Sequence, residues 1–184
     1  MKEIVQDGAP VLREIAKSVP EELFGSAELL QIVADMTEAL DKEPEGVALA
    51  APQIAVPYRL FIVREDRTNP PENSLGNETP KLDLGVSFPS TKPEVEVYIN
   101  PEIIKTSRRR ALGEEGCLST RGIYGVVNHH ERVTVSARRI DGTHFTRGGG
   151  GLMAQIFEHE IDHLNGILFI DRAERFIDIS HVAE

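Results

Sequence analysis

The sequence contains a single cysteine, Cys117, among 184 residues. One thiol cannot form an internal disulfide, so a fold held together by disulfides is excluded and a reducing compartment is indicated. The thiol remains available for packing, for chemistry or for a metal ion. The residues around it have to distinguish these three uses.

Long hydrophobic runs are also missing. The first residues, Met1 to Gly8, contain no apolar stretch of signal-peptide length, and no later stretch has enough consecutive apolar residues to cross a bilayer. We therefore expect a cytoplasmic protein that does not bind membranes.

Basic residues are scarce. The chain has 20 lysines and arginines against 30 aspartates and glutamates, which gives a formal net charge of -10. A general nucleic-acid-binding protein or a protein of anionic membrane surfaces would concentrate basic residues on one face, so neither is expected, and no binding to DNA. The basic run Arg108 to Arg110 is interpreted as a solvated turn, ahead of the alternative of an RNA contact.

The remaining pattern favours one α+β domain over residues 1–184. Apolar residues at helical spacing predict an N-terminal helical segment over 26–42, and strands are predicted over 58–64, 95–99 and 133–137. We expect short antiparallel sheets packed around a central C-terminal helix that binds a metal.

Two segments are predicted to be irregular. Residues 65–93 contain five prolines and are interpreted as a long surface loop. Four glycines, Gly148 to Gly151, precede a second periodic segment, Leu152 to Leu164. A flexible turn is the favoured interpretation of the glycines, ahead of a specific role at the start of the helix.

That second periodic segment carries residues suited to metal chemistry. In His159-Glu160-Ile161-Asp162-His163 the two imidazoles are four residues apart, which places them on one face of a helix. Leu152 and Ile156 share this face, so the histidines continue an apolar, inward stripe, which argues against the alternative of a solvated surface. Glu160 then lies beside the metal as a candidate general base.

A catalytic metal site needs a third protein ligand. Phe169 stands where metzincin proteases have their third histidine. A downstream glutamate of the thermolysin type has little chain to come from, although Glu174 and Glu184 are formal candidates. Cys117, next to a glycine in a polar stretch, is the remaining soft ligand, and a buried structural thiol is the alternative interpretation.

Three separated blocks resemble the signature motifs of the peptide deformylase family, in the same order. They are Gly46-Val47-Ala48-Leu49-Ala50-Ala51-Pro52-Gln53, Glu115-Gly116-Cys117-Leu118-Ser119 and His159-Glu160-Ile161-Asp162-His163. Residues 10–13 and 164–171 are also family-like, so the resemblance spans nearly the whole chain.

The resemblance implies an enzyme that removes the formyl group from the N-terminal formylmethionine of nascent polypeptides. It implies one divalent metal ion held by Cys117, His159 and His163, with Fe²⁺ expected natively and Zn²⁺ or Ni²⁺ as alternatives. A metal-bound water would attack the formyl carbonyl with Glu160 as general base. The Gln53 amide and the Leu118 backbone N–H would stabilise the oxyanion.

Substrate binding is expected to involve the first motif, the apolar helix face and one position after the second motif. The apolar residues could equally well only pack the core, and His129 stands where the family commonly has a substrate-facing arginine. The expected residues are Gly46, Val47, Ala48, His129, Leu152 and Ile156.

Further positions depart from the family pattern. Gln155 replaces a common arginine, Arg121 a common proline, and Glu158 a common glutamine, which is expected either to raise imidazole basicity or to face solvent. We expect these changes to alter peptide recognition and to leave the chemistry intact.

The expected partners are N-formylmethionyl peptides. Family members often reach the ribosome through a basic C-terminal extension, and residues 177–184 carry no such charge, so at most transient ribosome association is expected. Two other hypotheses are an endopeptidase and a binding module that keeps the metal only as a structural element.

Overall fold

The computed structural model describes residues 2–68 and 95–178. Within these ranges the chain forms three α-helices and eight β-strands. The helices are α1 (Ala27–Asp41), α2 (Glu65–Thr68) and α3 (Leu152–Leu164). The strands are β1 (Ala48–Ala50), β2 (Leu60–Arg64), β3 (Val95–Thr106), β4 (Arg110–Gly116), β5 (Tyr124–His130), β6 (Arg132–Arg138), β7 (His144–Gly150) and β8 (Arg175–Ile177).

The strands form two antiparallel sheets. One has the order β1-β2-β3-β6-β7 and the other the order β4-β5-β8. Helix α3 packs against strands of both sheets, so the segment with the pair His159 and His163 lies between them. The predicted fold class, α+β with antiparallel sheets around a C-terminal helix, is confirmed. Among the described helices, none has the length and apolarity needed to cross a membrane.

Helix α1 forms as the sequence predicts. The side chain of Ser26 caps it by accepting a hydrogen bond of 3.1 Å from the backbone N–H of Leu29. Leu29, Met36 and Leu40 are fully buried and pack with Leu49 and other residues of the same core cluster. This packing supports β1 and the residues that precede it.

An aromatic cluster fixes α3 against the five-stranded sheet. The rings of Phe61 on β2 and Tyr98 on β3 are stacked with centroids 4.6 Å apart, and Phe157 of α3 meets Tyr98 edge-on at 5.5 Å. All three side chains are fully buried, so the cluster adds specific ring geometry to the hydrophobic stabilisation of the core.

The glycine run is not a flexible turn, and that expectation was wrong. Gly148, Gly149 and Gly150 pair with β6 as the last residues of β7. A Cβ atom on Gly149 would lie 2.5 Å from Cγ of Met153, so the missing side chain lets α3 approach the strand. Only Gly151, with φ 55° and ψ -127°, has the unusual backbone that leads into the helix.

The predicted strands all exist, with different lengths. Residues 58–64 form β2 from Leu60, and the strand predicted at 95–99 continues to Thr106 as β3. Of the predicted loop over 65–93, residues Glu65–Thr68 form α2 and the rest lies outside the described residues. The polar strand β4 was not predicted because its residues are mostly exposed and show little apolar alternation.

Candidate active site

Three separate elements bring the sequence motifs together. Helix α3 carries His159, Glu160 and His163. Cys117 directly follows β4, and Gln53 belongs to the 3-10 turn Ala51–Ile54 after β1. The site therefore depends on the packing of α3 between the two sheets.

The three expected ligand side chains converge. One candidate donor atom from each of Cys117, His159 and His163 lies within 4.8 Å of the other two. The Sγ atom of Cys117 is 3.2 Å from Nε2 of His163. Burial lowers the pKa of His163 well below its usual value, which favours the neutral imidazole that binds metals. One sulfur and two nitrogen donors fit a zinc-like or iron-like divalent ion.

Glu160 is a buried carboxyl group beside these ligands. It lines a cavity together with Cys117 and His159. Its Oε2 atom has no hydrogen-bond partner within the described residues. Burial raises the pKa of Glu160 to about 7, with nearby His159 opposing the shift and Glu115 adding to it. A carboxyl group with this pKa can both accept and return a proton near neutral pH.

The amide of Gln53 is held in one orientation. Its Oε1 accepts a 2.8 Å hydrogen bond from the backbone N–H of Ala50, and its Nε2 donates to Ser119 Oγ at 3.1 Å. Nε2 also lies 3.6 Å from the sulfur of Cys117. A buried N–H donor of Gln53 is thus directed to the sulfur of Cys117, one of the candidate metal ligands.

A cavity of about 710 Å³ opens onto these groups. Its volume is in the range of small-ligand sites. Five of the six residues expected to bind substrate line it, and Leu118 does as well. The five are Gly46, Val47, Ala48, Leu152 and Ile156. Ile156 is buried in the wall, whereas Leu152 is 47% exposed and lies at the mouth.

Comparison with known proteins assigns the chain to a family. A family model described as polypeptide deformylase matches residues 1–177. The chain belongs to the polypeptide deformylase family. The resemblance seen in the three motifs is thereby confirmed.

Relatives within the deformylase family cover most of the chain. It is 38% identical over 192 residues to peptide deformylase from Halalkalibacterium halodurans, covering 97% of this chain and 93% of that protein. It is 36% identical over 173 residues to the chloroplastic peptide deformylase 1A of Solanum lycopersicum, covering 94% of this chain but 59% of the plant protein. The chain thus spans less than two thirds of the length of that plant relative.

Solved deformylase structures share the fold. The class I type b peptide deformylase of Acinetobacter baumannii, bound to Met-Ala-Ser, matches with a TM-score of 0.76 and 33% identity over 94% of this chain and 99% of the other. Peptide deformylase from Thermotoga maritima matches with a TM-score of 0.73 and 30% identity over 95% and 98% of the two chains.

One expected substrate residue of this deformylase-family chain lies elsewhere. His129 is buried and is not among the residues that line the substrate-sized cavity. Its Nδ1 is 3.1 Å from Glu158 Oε2, and its Nε2 forms an ion pair with Glu115. Two carboxylates hold the ring there, so the structure does not bring His129 to the cavity wall with the other five residues expected to bind substrate.

Glu115 is a residue of the candidate site that the sequence did not single out. Its Oε2 lies 2.9 Å from Nδ1 of His159, so Nε2 of that ring remains for the metal position. Although burial acts in the opposite direction, hydrogen bonds with His129 and His159 lower the pKa of Glu115 to about 2. The only signal was its place in the second deformylase motif, which does not identify its partners.

The residues that depart from the deformylase pattern form hydrogen bonds or ion pairs in the structure. Glu158 is mostly buried, and its carboxylate binds His129 and His130. Its hydrogen bond to His129 helps to raise the pKa of that imidazole. Gln155 lines the cavity and its Nε2 donates a 2.7 Å hydrogen bond to the carbonyl of Glu114. Arg121 forms a bidentate ion pair with Glu43 at the cavity.

Proposed function

We propose that this protein is a peptide deformylase, a metal-dependent hydrolase that removes the formyl group from N-formylmethionyl peptides. The observation that carries the proposal is the cluster of Cys117, His159 and His163. Cys117, His159 and the buried Glu160 line one cavity. The family membership and the A. baumannii deformylase that binds Met-Ala-Ser support it.

The metal would be held by Cys117, His159 and His163. When bound, a divalent ion would lower the pKa of a water molecule and polarise the formyl carbonyl. We propose Fe²⁺ as the native ion. Zn²⁺ and Ni²⁺ are the alternatives, because this donor set accepts several ions. Metal analysis of protein purified without oxygen tests the native identity.

Glu160 would handle the proton of the attacking water. Its carboxylate accepts that proton, and its acid form then protonates the departing amine. A pKa of about 7 suits both halves of this cycle, because neither form is strongly favoured near neutral pH. The Nε2 donor of Gln53 and the backbone N–H of Leu118 would stabilise the negative charge that develops on the formyl oxygen.

The substrate would bind along the cavity wall formed by the first motif. Strand β1 lies at the end of the five-stranded sheet, with β2 on one side, so a peptide can extend the sheet at this edge. Val47 and Ile156 would bound the pocket for the methionine side chain. The methyl group of Ala48 would shape how closely the peptide backbone approaches.

A direct assay tests this function. Protein loaded with Fe²⁺ without oxygen is incubated with formyl-Met-Ala-Ser, and the free amine is measured. We expect release in the native protein and almost none in the Glu160→Ala variant. Equal release by both proteins, or none by either, would contradict the proposal. A cytoplasmic location and at most transient ribosome association stay predictions, and residues 179–184 lie outside the described structure.

A further inference from the structure

Carboxylates and imidazoles alternate in a series of contacts next to α3, the helix that carries the candidate ligands His159 and His163. Glu115 contacts His159 through Oε2 and His129 through Oε1. On its other side the His129 ring lies 3.1 Å from Glu158. Glu158 in turn lies 2.6 Å from Nδ1 of His130 and accepts a hydrogen bond of 3.0 Å from the backbone N–H of His130.

The contacts of His129 favour its protonated form. Both ring nitrogens face carboxylate oxygens, and a neutral imidazole has only one N–H to offer. The arrangement is satisfied when both nitrogens carry a proton, which makes His129 a buried cation between two anions. Consistent with this, hydrogen bonds with Glu115 and Glu158 outweigh burial and raise the pKa of His129 to about 9.

We propose that His129, held by Glu158, is a positioning residue that fixes the Glu115 carboxylate against Nδ1 of the metal ligand His159. With Glu115 held in place, His159 donates from Nδ1 and directs Nε2 to the metal position. This inference rests on the proposed function only for the identity of the bound group, a divalent metal ion.

The elements involved explain why these residues can act together. His129 and His130 belong to β5, Glu115 to its neighbour β4, and Glu158 to α3. In the β4–β5 ladder, Ala111 is opposite His129, and Glu115 lies four residues further along its strand. The cluster therefore joins the ligand helix to the three-stranded sheet through charged groups that are mostly buried.

The test compares four variants by metal binding, without any formyl peptide. They are His129→Gln, His129→Arg, His130→Gln and His144→Gln. His130 contacts Glu158 at the far side of the cluster from Glu115, and His144 is exposed at the start of β7. Metal affinity is measured by competition with a chelator, and the visible absorption of the Co²⁺-substituted protein reports the ligand geometry.

We expect His129→Gln to lower metal affinity by about 10- to 100-fold and to change the Co²⁺ spectrum. His129→Arg should recover most of the metal affinity and of the native Co²⁺ spectrum, because a guanidinium can donate to the two carboxylates. His130→Gln should have a smaller effect, and His144→Gln none. In peptide assays kcat should fall in His129→Gln with KM unchanged, since His129 does not line the cavity.

Two results would overturn the proposal. One is a folded His129→Gln protein with the affinity and spectrum of the native protein, even if its melting temperature is lower. The other is an equal loss in His130→Gln, which would indicate general loosening of β5. If His129→Gln does not fold, Glu158→Gln tests the same series of contacts from its far end, with a spectral change expected and an unchanged spectrum contradicting the proposal. Lack of deformylase activity would not affect these measurements.

Discussion

Glu160 and Gln53 are both buried in the candidate site, but they differ in whether their polar atoms have hydrogen-bond partners. Glu160 is buried with one oxygen unpartnered within the described residues, and its pKa rises because the charged form is poorly solvated. Gln53 is equally buried but satisfied on both ends of its amide. One residue is thus ready to exchange a proton, and the other is a fixed donor.

Replacing Glu160 by Gln should remove the proton acceptor and keep the shape of the side chain. We expect kcat on formyl-Met-Ala-Ser to fall by about 10²- to 10⁴-fold with metal content unchanged. Asp162→Asn is the matched control, because Asp162 lies on the same helix and pairs with Arg172. A Glu160→Gln protein that retains activity would contradict the assignment of Glu160 as base.

His129 should give stability a specific pH dependence. Its pKa is raised from 6.5 to about 9, so folding favours the charged form. The resulting stabilisation is complete below pH 6.5 and is lost as pH rises through about 9. We expect the difference in unfolding free energy between native protein and His129→Gln to shrink over this range in denaturant titrations. A difference that stays constant would contradict the charged state of His129.

At the scale of elements, close approach between α3 and β7 depends on one missing side chain. A Cβ on Gly149 would meet Met153 and Phe157, whereas a Cβ on Gly148 would have Thr134 Oγ1 at 3.7 Å, an ordinary contact. Both glycines belong to the same strand, so they form a matched pair for testing how tightly the ligand helix is packed.

Gly149→Ala should therefore destabilise the protein by about 1–3 kcal/mol through overpacking. Gly148→Ala should be neutral or slightly stabilising, since alanine has lower conformational entropy in the unfolded chain. Chemical denaturation of the two variants measures the contrast. Equal free energies of unfolding would show that α3 can shift without cost.

Two arginines contact the cavity wall before β1, which includes Glu43 and Gly46. The Nη1 atom of Arg67 donates to the carbonyls of Glu43 at 2.8 Å and Gly46 at 2.6 Å, and Arg121 pairs with the Glu43 carboxylate from across the cavity. The Arg67 contacts are partly buried, whereas the Arg121 side chain is 56% exposed.

Arg67→Ala should raise KM for formyl peptides and destabilise the fold by about 1–3 kcal/mol, because carbonyls of the wall lose their donor. Arg121→Ala should cost less than about 1 kcal/mol, as exposed ion pairs are weak. Steady-state kinetics and thermal unfolding of both variants provide the comparison. A larger stability loss in Arg121→Ala would contradict the view that Arg67 is the main support of the wall.

For the whole molecule, the proposed metal site would join α3 to Cys117, the residue that follows β4 in the smaller sheet. A metal that binds only the folded state stabilises it by an amount that rises with the logarithm of the ratio of free metal concentration to Kd. We expect chelation to lower the melting temperature and added Zn²⁺ or Ni²⁺ to restore it, as measured by thermal unfolding. The Cys117→Ala variant should respond much less, and an equal response would exclude Cys117 as a ligand.

The sequence by itself determined the features that depend on local spacing. The pair His159 and His163 is recognisable because a helix repeats every 3.6 residues, and the cap and apolar face of α1 follow the same logic. The order of the three motifs was enough to indicate the family, since each motif is a short continuous segment.

Only the tertiary structure decided which distant residues meet. His129 was expected to face the peptide, yet β5 places it against Glu115 of β4 and Glu158 of α3. The role of Gly149 likewise depends on how close α3 packs to β7. Strand pairing and helix–sheet packing join residues far apart in the chain, and no local pattern records the partner of a buried charge or the space beside a glycine.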